Sequence, residues 1–182
     1  RNNEGFMIKK VLITQDEIDK RLDKLAEEIN DFYKGEPIIV IPLLRGGFMF
    51  AADLIKRLDM LVEVDFITTA SYGHKKVSSG DVKIFSDLRS NVDGKNVLIV
   101  DDIIDSGNTL KFIKDYIGIK NPKSLKIATM LDKPSRRTQD VNSDFVGFEV
   151  DDVFIVGYGL DYENNYRNVP YIFEFLEEGE DE

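Results

Sequence analysis

The chain predicts an α/β fold: a doubly wound parallel sheet carrying a small β-rich hood. The run at residues 38–41 is continuously apolar, the pattern of a strand buried on both faces, 96–100 gives the strongest buried-strand signal, and 125–131 reads as a further strand. Helical periodicity fills the first of the stretches that separate them. In the last third, short strand-like runs alternate with turns and no helical pattern returns. The expected layout is a single domain over residues 1–182, with a core over about 11–132 and a hood from the N-terminal strand and about 133–176.

Residues 6–13 read as a short edge strand. Thr14 and Glu17 then form a capping box. Ile18, Leu22, Leu25, Ile29 and Phe32 follow helical spacing behind it, and Gly35 stops the helix. After the strand at 38–41, a turn at 44–47 opens a second helix with Phe48, Ala51, Leu54, Ile55 and Leu58 expected inward. Residues 61–68 read as a third strand. Residues 71–80 are polar, hold two glycines, and read as an exposed, mobile loop. A return strand is expected at 82–85. The run at 96–100 is the strongest buried-strand signal, followed by a turn and a helix over 108–117. Strands are expected at 125–131, 145–148, 153–156 and 170–176. On such sheets ligands bind beyond the carboxyl ends of the strands, so the polar segments there are the candidate site.

Composition narrows the function. The formal net charge is -10, so the chain lacks the basic field that dominates nucleic-acid affinity. An anionic substrate would need cations placed locally. With no cysteine there is no disulfide framework and no thiolate zinc site. The longest apolar run, 38–44, is far too short for a bilayer, and no stretch has a signal-peptide pattern. The expectation is a cytoplasmic protein without membrane or nucleic-acid partners. The acidic stretch at 177–182 reads as a solvated tail.

The run VLIVDDIIDSGNT, residues 97–109, carries the most chemistry. An apolar strand delivers Asp101 and Asp102 to its end, and Asp105 emerges on the loop. Ser106, Gly107, Asn108 and Thr109 open a helix. Its free N–H groups, its positive dipole end and two hydroxyls make an anion cradle. Carboxylates beside a phosphate cradle suit a phosphorylated sugar, whose hydroxyls they can accept from. Magnesium can bridge such carboxylates to pyrophosphate oxygens.

This run resembles the phosphoribosyl pyrophosphate loop of the type I phosphoribosyltransferases, and within them the bacterial hypoxanthine phosphoribosyltransferases. The likeness extends from about residue 11 to 176. Many relatives carry Glu where this chain has Asp101, one methylene shorter. The resemblance implies ribose and 5-phosphate binding by Asp101, Asp102, Ser106, Gly107, Asn108 and Thr109. It implies Asp105 as the catalytic acid or base. LLRGG, residues 43–47, matches the family's pyrophosphate turn, with an implied cis peptide before Arg45 and pyrophosphate contacts from Arg45 and Gly46. Read alone, that piece is an ordinary glycine turn.

SYGH, residues 71–74, resembles the family's lid, with Ser71 and Tyr72 closing over the site to exclude water. The only histidine, His74, is assigned no chemistry. In LDKPSRR, residues 131–137, the resemblance puts Lys133 on the purine's 6-oxo group, which favours an oxopurine over adenine. Arg136 and Arg137 read as plain surface cations. VFIVGYGLD, residues 153–161, is the implied base pocket: Phe154 stacks, the Ile155 main chain reads the base edge, and Asp161 accepts from an exocyclic group or binds magnesium. Taken singly, Phe154 reads as core. Arg167 would pair with pyrophosphate. The implied metal residues are Asp101, Asp102 and Asp161.

The implied activity is purine salvage: transfer of a phosphoribosyl group from phosphoribosyl pyrophosphate to hypoxanthine and guanine, with magnesium, in a homodimer or homotetramer. The alternatives are a xanthine-preferring transferase and an RNA-binding operon regulator on the same fold.

Overall fold

In the computed structural model, residues 8–71 and 82–175 are described. The chain runs β1 (Ile8–Ile13), α1 (Gln15–Tyr33), β2 (Ile38–Leu44), α2 (Phe48–Ile55), β3 (Val62–Val64), β4 (Ile67–Ser71), β5 (Val82–Ser86), β6 (Asn96–Ile104), α3 (Asn108–Gly118), β7 (Ser124–Asp132), β8 (Phe145–Glu149), β9 (Ile155–Val156) and β10 (Ile172–Phe175). Tyr72 and His74 lie outside the described residues, as does the acidic tail.

Local chemistry sets the elements. Thr14 Oγ1 accepts from Glu17 N at 3.2 Å and closes the first turn of α1. Lys34 ends the helix in the left-handed region, with its N–H on Asn30 O. Ile18, Leu22, Leu25 and Ile29 form its buried stripe, while Phe32 is half-exposed on the helix flank. In α2 the inward aromatic is Phe50 and not Phe48, which is exposed. The short helix turns Phe50, Ala51 and Leu54 inward, so the expected Ala51 and Leu54 are joined in the core by Phe50 in place of Phe48. The single strand expected at 61–68 is two pieces, β3 and β4, interrupted where the buried Asp65 accepts from the N–H groups of Phe66, Arg89 and Ser90.

The larger sheet has the order β5-β4-β2-β6-β7-β8, with β3 also paired to β2. Its core ladders are parallel, and only β5 runs antiparallel, against β4. Alternation divides the apolar strands between two cores. Val40, Leu98, Val100, Ala128 and Met130 pack with α1 and α2. Ile39, Ile41, Val97, Ile99 and Ile127 pack with Leu110, Ile113 and Ile117 of α3. Both faces are covered, as the continuous apolar runs require. A three-stranded antiparallel sheet, β1-β10-β9, forms the hood with its own small core of Val156, Phe173 and Phe175. No helix among the described residues is long and apolar enough to cross a membrane.

From β2 the chain moves outward to β3 and β4, then returns to β6 on the other side and moves outward again to β7 and β8. The switch point therefore lies between the carboxyl ends of β2 and β6, where the two glycine-bearing turns meet.

Candidate active site

The turn after β2 contains a cis peptide at Leu44-Arg45. Gly46 then lies against the end of β6: a Cβ there would fall 2.0 Å from Asp102 Oδ2, so any larger residue displaces the Asp102 carboxyl. Arg45 is exposed, and its NH1 donates to Asn164 Oδ1 at 3.0 Å.

Beyond β6, Gly107 adopts φ 86 as the N-cap of α3, a left-handed conformation that glycine takes without strain. Asp105 Oδ1 accepts from Ser106 N at 2.5 Å, and Ser106 Oγ accepts from Asn108 N at 3.3 Å. The first N–H groups of α3 have no intrahelical acceptor and face a cavity of about 200 Å³ lined by residues 101–110. Asn108 Oδ1 is buried there with no hydrogen-bond partner among the described residues.

Burial pushes the Asp101 carboxyl well up, and the neighbouring Asp102 charge adds to it. Burial also raises Asp102, against hydrogen bonds from Asp101 and Ile103 N and the charge of Arg167. Each carboxylate accepts from the N–H of the following residue: Asp102 N donates to Asp101 Oδ1 at 2.9 Å, and Ile103 N donates to Asp102 Oδ1 at 2.8 Å. Among the described residues, no cluster of three or more histidine or acidic side chains could hold a metal by itself.

A second cavity of about 390 Å³ lies under the hood. Asp105, Lys133, Phe154, Ile155 and Asp161 all line it, joined by Arg136 and Asp152. Lys133 reaches it from the end of β7, with its side chain 12% exposed. Its Nζ donates to Val153 O at 2.7 Å, which uses one of three donors. Burial lowers its pKa, partly offset by the charges of Asp152 and Asp105. Phe154 is 51% exposed, so it is a free ring at the cavity wall and not a core side chain. Tyr162 and Phe175 meet it edge-on at 5.9 Å and hold its plane. Ile155 is buried in β9.

Arg167 NH1 donates to Gly159 O at 2.6 Å, and NH2 pairs with Asp161 Oδ1 at 3.3 Å. Its Nε is buried without a partner among the described residues. Asp161 Oδ2 also accepts from Asn164 N at 2.9 Å. Ser71 ends β4, and the remainder of the expected lid is outside the described residues.

Sequence reasoning missed three participants. Arg137, read as a surface cation, has a side chain only 14% exposed and pairs with Asp132 at 2.7 Å. Asp152 faces the second cavity and pairs with Arg136 at 3.5 Å. Tyr158 OH donates to Asp53 Oδ2 at 2.5 Å and ties the hood to α2. Only the Asp132 to Arg137 spacing around a proline offered any signal, and it does not distinguish a buried pair from a solvated one.

A phosphate-sized cradle and an aromatic-walled pocket therefore meet at Asp105, at the switch point of a parallel sheet. The phosphoribosyl transferase domain profile matches residues 14–163. The chain is 50% identical over 165 residues to the hypoxanthine-guanine phosphoribosyltransferase of Bacillus subtilis, covering 91% of this chain and 92% of that one. It is 52% identical over 165 residues to the hypoxanthine phosphoribosyltransferase of Buchnera aphidicola, covering 90% and 93%. A solved hypoxanthine-guanine phosphoribosyltransferase from Bacillus anthracis superposes with TM-score 0.87 at 44% identity, covering 94% of this chain and 99% of that one. The chain belongs to the phosphoribosyltransferase family.

Proposed function

We propose that the chain is a hypoxanthine phosphoribosyltransferase of purine salvage. It transfers the phosphoribosyl group from phosphoribosyl pyrophosphate to hypoxanthine, and to guanine, releasing pyrophosphate. The observation that carries this reading is that Asp105 lines both cavities, the cradle and the base pocket. One carboxylate can therefore serve the ring of a base whose ribose partner sits on the cradle.

The residues divide the work. Ser106, Gly107, Asn108 and Thr109 bind the 5-phosphate through N–H and hydroxyl donors. Asp101 and Asp102 accept from the ribose hydroxyls. Arg45, the turn at Gly46 and Arg167, whose Nε has no partner among the described residues, hold the pyrophosphate. Lys133 donates to the 6-oxo oxygen, Phe154 stacks on the purine, and the Ile155 main chain and Asp161 read its edge. A ring nitrogen forms a bond to C1 as the bond from C1 to the pyrophosphate oxygen breaks. Asp105 takes the proton from N7. Ser71 and Tyr72 belong to the proposal as the lid that excludes water from a cationic sugar centre.

The donor set fits magnesium, which binds through one or two carboxylates and otherwise through substrate oxygens and water. Asp101 and Asp102 would hold it at the cradle, and Asp161, on the wall of the base pocket, is the further metal residue of the proposal. When bound, it neutralises charge on the departing pyrophosphate. The single-domain layout of core and hood, a cytoplasmic setting and assembly as a homodimer or homotetramer belong to the same proposal. Exposed Leu61, Phe66 and Phe85 offer apolar surface for assembly. A spectrophotometric assay with phosphoribosyl pyrophosphate, magnesium and hypoxanthine, guanine or xanthine tests the reading. Turnover of hypoxanthine and guanine is expected. Turnover of xanthine alone, or of none, sinks it.

A further inference from the structure

Arg137 lies beneath the site with all three guanidinium nitrogens engaged. Nε donates to Val141 O at 2.9 Å, and NH2 donates to Asp132 Oδ1 at 2.7 Å. NH1 donates to Asp105 O at 2.8 Å and reaches Lys133 O at 3.4 Å. Its stem runs under the phosphate cradle, where a Cβ on Gly107 would fall 3.2 Å from Arg137 Cδ. One fork thus touches the backbone of both residues that would act on the base, the carboxylate at 105 and the ammonium at 133.

We propose that Arg137 is a positioning residue for the transfer reaction, holding Asp105 and Lys133 in fixed relation across the base pocket. The inference rests on the proposed phosphoribosyl transfer. The backbone around it shows why the effect would fall on the base side. Ile104 O accepts from Lys133 N at 2.9 Å, and Ser106 O accepts from Thr138 N at 3.0 Å and Gln139 N at 3.1 Å. The carbonyl between them, Asp105 O, is held by a side chain. Removing the guanidinium leaves the cradle's main-chain supports in place and frees the segment that aims Asp105. A planar fork is required, because a lysine ammonium cannot span these diverging acceptors.

The test is steady-state kinetics on Arg137→Lys, which keeps a cation opposite Asp132. The paired variant R137M/D132N, which leaves no buried charge unmatched, serves as the second arm. Thermal unfolding establishes that each is folded. For Arg137→Lys, kcat with hypoxanthine is expected to fall about tenfold or more. The KM for hypoxanthine should rise about fivefold while that for phosphoribosyl pyrophosphate stays within about threefold. In an Asp105→Asn background the same substitution should lower kcat by less than about threefold, because its route of action is already gone.

The inference is overturned by folded variants with unchanged kcat and base KM. It is equally overturned if both KM values rise together, or if kcat falls with neither KM moving, as a smaller folded fraction gives. Full cost in the Asp105→Asn background, or failure of both variants to fold, makes Arg137 a structural residue. Wild-type enzyme inactive with every base removes the reaction itself and this inference with it, a result read before any variant is compared.

Discussion

At the N-terminal ends of the central strands, Glu36 accepts from Lys123 Nζ at 3.0 Å and from Asn96 Nδ2 at 3.0 Å. At the C-terminal ends of the same strands, Asp101 and Asp102 stand side by side with no ion pair at contact distance among the described residues, only the more distant charge of Arg167 acting on Asp102. The first carboxyl is held below the usual range by its hydrogen bonds and the lysine charge. The second pair is pushed up by burial, reinforced at Asp101 by the Asp102 charge and opposed at Asp102 by hydrogen bonds and the charge of Arg167. The larger cavity, about 520 Å³, is at the settled end. Size therefore does not mark the site; unmet charge does. A group whose folded pKa is raised costs the fold stability as pH rises through that pKa. Asp101 and Asp102 carry such a cost at neutral pH, and a cation and sugar hydroxyls can offset it.

The largest expected effect is at Asp105. Asp105→Asn should lower kcat by about 10²–10⁴-fold, the usual worth of a positioned proton acceptor, while phosphoribosyl pyrophosphate still binds. Turnover measured with hypoxanthine, beside calorimetric titration of the sugar substrate, checks both halves. An unchanged kcat would remove Asp105 from the chemistry.

Gly46→Ala comes next. The added methyl would meet the Asp102 carboxylate at 2.0 Å, so the Asp102 side chain must turn away or the turn after β2 must shift. A displacement of that size should lower kcat/KM for phosphoribosyl pyrophosphate by about 10²-fold. The equivalent crowding is absent at Gly94, at the other end of the sheet, where an added Cβ has nothing within 4 Å. There the left-handed φ of 70 is the only obstacle to alanine. Equal losses of activity from the two substitutions would erase the contrast between the ends.

Lys133→Gln should raise the KM for hypoxanthine about tenfold and leave that for phosphoribosyl pyrophosphate near wild type, since only the base loses a charged donor. The sign of its pH effect follows from burial, which lowers the folded pKa. As pH rises through that lowered value, the ammonium loses the proton that the proposed function assigns to the oxopurine. The wild type should therefore lose kcat/KM for base on an alkaline limb below the ordinary lysine range. The glutamine variant should lack that limb. Stability moves the other way across the same window, because the unfolded chain binds the extra proton.

Much of this contrast was readable from residue order. The apolar runs and the capping box at Thr14 are local signals, and the strands and α1 appear where they point. The strand at 96–100 followed by three aspartates needs only a switch point to become a site. What escaped were features set by distant contacts. Phe48 and Phe50 differ by two positions on a short helix, and packing against Tyr158 and the β-sheet decides which is inward. Phe154 looks like core in an apolar strand and is half-exposed because it stands on the wall of the second cavity. Arg137 carries the same composition signal as its exposed neighbour Arg136, and only the fold of residues 133–141 under the cradle separates them.

The smallest effect is expected from Lys123→Met. Lys123 and Glu36 are both more than half exposed, so solvent screens the pair heavily. Activity should remain within about twofold of wild type, as for surface changes away from a site. The Glu36 carboxyl, relieved of its lysine, should titrate closer to the ordinary carboxylate range, which a nuclear magnetic resonance titration can follow. A depressed carboxyl stabilises the fold above its unfolded pKa and loses that contribution as pH falls through the folded value. The stability gap between wild type and variant should therefore close on acidification. If Lys123→Met instead costs activity about tenfold, the paired end of the sheet is coupled to the unpaired one. Charge satisfaction would then no longer separate scaffold from site.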